Sequence, residues 1–261
     1  MQTISSRKNP VVKAAAEIAA RASVRREKGL FLCEGARLCE DAVKSGVEIL
    51  RIFFTAKAQE KYHAHIKDLL CSCPEAYLIE PHVAALLSQT KNTQGVFCVC
   101  RQVKRDDPPY DVKSLVLENI QDPGNLGAVM RTAEALGLCS IILTGASCDL
   151  YSPKVLRASM GAVFRLQVYM VEKTEKVFTG FRAESAPTYA ALPDENALRL
   201  GTFRFPKKCA VFVGNEGAGL SDFVIENCDC RLTIPMGGRA ESLNAAAAAA
   251  ILIWEMLKEG S

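Results

Sequence analysis

The stretch IPMGGRAESLNAAAAAAIL, Ile234 to Leu252, changes character in its middle, where glycine and polar residues give way to a run of alanines. Alanine has the highest helix propensity, so Ala245 to Ala250 reads as a helix packed closely on its neighbours, capped by Ser242 or by the Glu241-Ser242 pair. The apolar residues just upstream, in CRLTIPM, read as a strand. Strand, glycine-bearing loop and helix therefore follow one another. The same plan occurs twice more, in VLENIQDPGNLGAVMRTAEALG from Val116 and in VFVGNEGAGLSD from Val211. In an open parallel sheet the loops at the carboxyl ends of the strands form the ligand crevice, so three such loops can converge on one site. The glycine order of GNEGAG is not that of the dinucleotide-binding fingerprint, which argues against a Rossmann site.

Working outward, SLVLENI, CSIILTG, FRLQVYM, APTYAAL, CAVFVGNEG and CRLTIPM are hydrophobic strand candidates with helical stretches between most of them. That alternation predicts a parallel sheet covered on both faces. Upstream, RQVKRDDPPYDVKS, Arg101 to Ser114, is charge-rich and carries two adjacent prolines, and it reads as a linker. Before it, GLFLCEG, EILRIFFT, AYLIE and GVFCVCR read as short strands, separated by helices near Ala36 to Ser45, Lys57 to Leu70 and His82 to Gln89. The expected organisation is a small α/β domain over 1–102, a linker over 103–113 and a larger α/β domain over 114–261. A chain of 261 residues accommodates one large domain or two modest ones.

Composition limits the function classes. With 49% apolar and 23% charged residues, the chain belongs with soluble globular proteins and not with disordered or fibrous ones. Its longest apolar run, Ala245 to Trp254, falls short of the ~18 residues of a membrane span. The opening MQTISSRKNP lacks the hydrophobic region of a secretory signal, so a cytoplasmic protein without membrane contact is expected. The 11 cysteines are odd in number and scattered in apolar surroundings, as buried thiols in a reducing compartment would be. Three Cys-x-Cys pairs, at Cys71/Cys73, Cys98/Cys100 and Cys228/Cys230, do not have the usual zinc spacing, and no metal is expected even with His63, His65 and His82 considered. Up to Leu30 the chain carries Arg7, Lys8, Lys13, Arg21, Arg25, Arg26 and Lys28 against Glu17 and Glu27. This basic arm suits a phosphate backbone, and it also suits the solvated face of a helix whose apolar stripe is Ala14, Ala15, Ile18, Ala19 and Ala22.

Taken together, the three segments resemble the motifs of the SpoU/TrmH branch of the SPOUT superfamily. The first matches its Asn-x-Gly…Arg motif, the second Gly-Asn-Glu-Gly-x-Gly-Leu and the third Ile-Pro-Met…Ser-Leu-Asn, in the family's order over most of Ser114 to Lys258. The first half, through SRKNPVVK and GLFLCEGARLCEDAV, is similar to the small α/β RNA-binding domain common in that family.

The resemblance implies an S-adenosylmethionine-dependent RNA ribose 2'-O-methyltransferase. It implies a deep trefoil knot in the second domain, where small side chains let the last helix pass close to its neighbours, and a homodimer. The catalytic set it implies is Arg131 with Asn125, Glu216 and Asn244, the last three also holding the loops together. Cofactor contacts would come from Thr144, Gly145, Val213, Gly214, Ile234, Met236, Ser242 and Leu243, several through backbone groups. RNA would meet Arg7, Lys8, Arg25 and Arg26, and ribosomal RNA is preferred to transfer RNA because the first domain is more like those of the rRNA-modifying members. Arg131 alone, outside its motif, would read as an exposed helix arginine paired with Glu134. A catalytically silent RNA-binding homologue and an unrelated nucleotide-dependent enzyme are the other classes open at this point.

Overall fold

The computed structural model describes residues 2–73 and 75–258. Contacts gather the chain into two units, one running up to Val103 and including Asp149–Phe164, the other comprising Lys104–Cys148 and the residues from Arg165 onward.

In the first unit the order is β1 (Gln2–Ile4), α1 (Pro10–Ala20), α2 (Ala22–Lys28), β2 (Leu30–Glu34), α3 (Ala36–Lys44), β3 (Ile49–Phe54), α4 (Ala56–Lys61), α5 (His63–Ser72), β4 (Ala76–Ile79), α6 (Pro81–Leu87) and β5 (Val96–Arg101). The strands form a mixed sheet in the order β1-β4-β3-β5-β2, with β5 antiparallel to both its neighbours. Its core joins Val12, Ile18, Leu32, Phe53, Ile79, Val83 and Phe97. Cys98 and Cys100 stand on one face of β5 and are fully buried, with Cys100 Sγ 3.9 Å from Cys33 Sγ. Burial pushes the Cys33 and Cys98 thiols well up, which makes them poor nucleophiles. The helix expected over Lys57 to Leu70 is two helices, because Tyr62 leaves helical geometry at φ −115°, ψ 33°. The short β1 was not legible as a strand, since three residues carry no periodicity.

Helix α1 starts where Asn9 accepts a hydrogen bond from the Val11 N–H and proline occupies the first turn, and it buries Val12, Ala15, Ile18 and Ala19. The chain breaks at Arg21, in extended geometry, before α2 begins. This break turns Arg25 inward. The residue is 4% exposed; Nε donates to Asp149 Oδ2 at 2.7 Å and Nη1 to the carbonyls of Ile18 and Ala19 at 2.7 and 2.8 Å. Arg25 therefore leaves the set of RNA-facing cations: its charge is neutralised inside the unit.

In the second unit the chain runs through β6 (Lys113–Glu118), α7 (Pro123–Leu136) and β7 (Ser140–Thr144). Helix α8 (Pro153–Ser159) belongs to the first unit, and α9 (Ala162–Arg165) leads back. There follow β8 (Gln167–Val171), α10 (Thr174–Ala183), β9 (Thr188–Ala191), β10 (Leu198–Arg199), β11 (Cys209–Val213), α11 (Asp222–Asn227), β12 (Cys230–Thr233) and α12 (Ala245–Leu257). Seven strands lie in the order β10-β12-β9-β11-β6-β7-β8, every pair parallel. Strands β7 and β11 are buried at every residue, the signature of a sheet covered on both faces. The two-residue β10 was not legible in the sequence. Helix α12 is capped by Asn244, whose Oδ1 accepts from the N–H groups of Ala246 and Ala247, and not by Ser242 or Glu241, which lie farther out in the loop. No described helix is long and apolar enough to cross a membrane.

Arg25 and its neighbour Arg26 give a sharp comparison, because Arg26 is exposed. Truncating one partner of a buried ion pair strands the other charge, so Arg25→Ala is expected to lower the unfolding free energy by about 3 kcal/mol. Arg26→Ala should stay within about 0.5 kcal/mol of the parent in the same denaturant titration. Equal, small effects would show that the Asp149 contact contributes nothing to stability.

Candidate active site

Three carboxyl-terminal strand ends of the second unit, those of β9, β11 and β12, open onto one cavity of about 530 Å3. Its lining includes Leu192 after β9, Val213 to Leu220 after β11, and Ile234, Met236, Glu241, Ser242 and Leu243 after β12, closed on one side by Ala245 and Ala248 of α12. The size suits a small-molecule ligand, and the position is the one where open parallel sheets bind ligands. The lining contains no Lys, Arg or His; its charged side chains are Glu216 and Glu241.

The loop after β6 does not line the cavity but is tied to two of the loops that do, those after β11 and β12. Asn125 Nδ2 donates to Glu216 Oε1 at 2.9 Å, and Asn125 Oδ1 accepts from Asn244 Nδ2 at 3.1 Å. Asn125 is itself set by Asp122, whose carboxylate caps α7 by accepting from the Asn125 N–H at 2.9 Å. The loop after β11 is folded on Asn215. Its Oδ1 accepts from the N–H groups of Gly217 and Ala218, its backbone bridges Gly219, and its Nδ2 donates to the Asn119 carbonyl at 2.9 Å. A side chain on Gly214 would overlap the backbone of Gly219 and Leu220, so this loop closes only over glycine. Glu118, buried at the end of β6, accepts from both the N–H and the hydroxyl of Ser221, which caps α11.

Of the residues the sequence suggested for cofactor contact, Val213, Gly214, Ile234, Met236, Ser242 and Leu243 line the cavity. Thr144 and Gly145 do not. They end β7, with Thr144 buried and Gly145 against Asn119, whose N–H donates to the Thr144 carbonyl and whose own carbonyl accepts from Asn215. Glu216 lines the cavity, and Asn125 and Asn244 stand behind it. Arg131, further along α7, is exposed and also lies outside the lining. Glu134 does not pair with it, because Glu134 accepts from Arg165 Nε at 2.8 Å. On the first unit Arg7, Lys8 and Arg26 are exposed, Arg7 donating to the His82 carbonyl. Sequence reasoning missed Asn119, Asn215 and Glu118, whose signal was a polar residue ending an apolar strand. It missed the β9 end as well, where APTYAAL carries no loop signal.

Residues 113–254 match the SpoU rRNA methylase family. The chain belongs to that family. Residues 9–98 match the MRM3-like substrate binding domain. The chain is 33% identical to an uncharacterized tRNA/rRNA methyltransferase of Synechocystis, over 98% of this chain and 94% of the relative. It is 30% identical to the 23S rRNA (guanosine(2553)-2'-O)-methyltransferase of Bacillus subtilis, over 98% and 99%. Among solved structures, an AdoMet-bound rRNA methyltransferase from Sinorhizobium meliloti superposes with a TM-score of 0.86 at 27% identity, covering 98% of this chain and 97% of its own.

Gly214→Ala is expected to force the loop after β11 open. Binding of S-adenosylmethionine, followed by calorimetry, should fall at least tenfold, whereas Gly237→Ala, where an added Cβ meets open space, should change it little. Unchanged binding in Gly214→Ala would mean that this loop does not shape the ligand site.

Proposed function

We propose that this protein transfers a methyl group from S-adenosylmethionine to a ribose 2'-hydroxyl of RNA, with ribosomal RNA as the substrate. The observation that carries the reading is the joining of three motif loops at Asn125, directly behind a ligand-sized cavity at the strand ends. Ribosomal RNA is favoured because the Bacillus subtilis relative and the Sinorhizobium meliloti structure, both named for rRNA, match along the whole chain. A nucleotide-dependent enzyme is disfavoured by the cavity itself, whose two carboxylates and lack of cations would repel phosphates.

The residues present fit the cofactor. Ile234, Met236 and Leu243 offer apolar surface to an adenine, and the backbone at Val213 and Gly214 and the hydroxyl of Ser242 offer polar groups to its edges. When bound, S-adenosylmethionine supplies an electrophilic methyl on a sulfonium. Arg131 orients the ribose hydroxyl and neutralises the negative charge that grows on its oxygen as the proton leaves. Arginine stays protonated, so the proton goes to another acceptor. Asn125, Glu216 and Asn244 keep the loops in register, which holds donor and hydroxyl in line. We assign RNA binding to residues 1–102, with Arg7, Lys8 and Arg26 on the phosphate backbone, a linker to 103–113 and methyl transfer to 114–261. The family resemblance supports a trefoil knot formed by the Ile234 to Asn244 loop and α12, and a cytoplasmic protein.

A homodimer is supported by the outer stripe of α12, where Ala247, Ile251 and Trp254 are exposed, Trp254 by 61%. An apolar stripe of this kind on a soluble chain suits a second copy of itself. Trp254→Glu is expected to halve the mass seen by light scattering at micromolar concentration. A parent protein that is already monomeric would remove the dimer from the account.

Arg131→Ala should leave S-adenosylmethionine affinity within about twofold of the parent while methyl transfer to ribosomal RNA falls by 10²-fold or more, on the order of one lost oriented charge contact in a transition state. Arg131→Lys keeps the charge without the planar fork and should recover only part of the rate. Transfer RNA offered in the same assay should be a poor acceptor. Full rates in both variants would take Arg131 out of the mechanism, and a clear preference for transfer RNA would reassign the substrate.

A further inference from the structure

We propose that Glu241 is a specificity-determining residue of the cavity, whose carboxylate favours the cationic methyl donor over the product that remains after transfer. The proposal rests on the reading of the cavity as the S-adenosylmethionine site. Two charged side chains line that cavity, and they differ in what they are free to do. Glu216 is committed to the protein: one oxygen accepts from Asn125 at 2.9 Å and the other faces the Asn215 carboxamide at 3.4 Å. Glu241 lines the same cavity from the loop between Met236 and Ser242, and no hydrogen bond or ion pair engages it among the described residues. No cationic side chain of the lining offsets it. An unpaired carboxylate at a cavity whose described lining holds no Lys, Arg or His favours a ligand that brings positive charge.

The reaction changes that charge. As the methyl group leaves, the carbon–sulfur bond breaks and its electron pair stays on sulfur. The sulfonium becomes a neutral thioether, the new bond forms between the methyl carbon and the ribose O2', and the hydroxyl proton passes to solvent water. The ammonium and carboxylate of the amino-acid part are the same before and after. The bound small molecule therefore loses one positive charge, and with it the part of its attraction to Glu241 that depended on the sulfonium. One side chain thereby favours capture of the donor over retention of the product. Because Glu241 is exposed, screening by water limits the effect to about fivefold in relative affinity, ~1 kcal/mol at 1.4 kcal/mol per tenfold.

The test is calorimetric titration of the full chain and its variants with S-adenosylmethionine and with S-adenosylhomocysteine. Glu241→Gln is expected to lower the donor-to-product affinity ratio about fivefold, with the product's own affinity nearly unchanged. Glu241→Asp should restore most of the ratio, and the effect should shrink as salt is raised. A variant that weakens both ligands equally would assign Glu241 a structural role in the loop and overturn the proposal, as would an unchanged ratio. If the parent binds neither ligand, the reading of the cavity itself fails, a result distinct from either of these.

Discussion

The carboxamide of Asn125 is the joint on which the site depends. Both of its polar atoms are engaged, one donating to Glu216 and the other accepting from Asn244. Asn244 in turn caps α12 with the oxygen it has left. One hydrogen-bonded chain therefore runs from the loop after β11, through the start of α7, to the start of the last helix. No substitute of similar size does the same: aspartate lacks the donor and leucine lacks both groups. Each bond is worth only about 1 kcal/mol, but together they specify which of many loop arrangements is kept.

That joint has value only because the sheet brings the loops within reach. The chain leaves β6 toward β7 and β8, then returns to build β9, β11 and β12 on the other side. The reversal places the carboxyl ends of β6 and β11 side by side, and the Asn215–Asn119 bond closes the space between them. Glu118, buried and fully used by Ser221, fixes α11 to the same strand end. Several polar residues around the cavity are thus engaged within the protein, and its lining combines apolar residues such as Ile234, Met236 and Leu243 with Asn215, Glu216, Thr233, Glu241 and Ser242. Its remaining unpaired charge is negative, whereas the exposed Arg131 supplies positive charge outside the cavity.

Much of this was legible in the sequence, for identifiable reasons. Strands such as β6, β7 and β11 are buried on both faces and read as unbroken apolar runs, and the three loops carry glycine and asparagine that interrupt those runs abruptly. What was not legible depended on contacts distant in sequence. Arg25 looked like its exposed neighbours, because the partner that buries it, Asp149, lies 124 residues away. Serine ahead of an alanine run makes Ser242, or the Glu241-Ser242 pair, a reasonable cap for α12, yet Asn244 stands closer and accepts from two N–H groups. Thr144 and Gly145, which the resemblance assigns to cofactor contact through backbone groups, end β7 one strand beyond β6 and beside Asn119, outside the cavity lining. Local pattern thus revealed which loops matter, and the pairing of their side chains emerged only in three dimensions.

The central claim, methyl transfer to a ribose hydroxyl, is tested most directly by incubating the protein with ribosomal RNA and S-adenosylmethionine labelled in the methyl group, then digesting the RNA in alkali. A 2'-O-methyl group blocks attack of that oxygen on the neighbouring phosphate, so the account requires the label in an alkali-resistant dinucleotide. Label recovered in single nucleotides, as a methylated base would give, or no label in RNA at all, would contradict it.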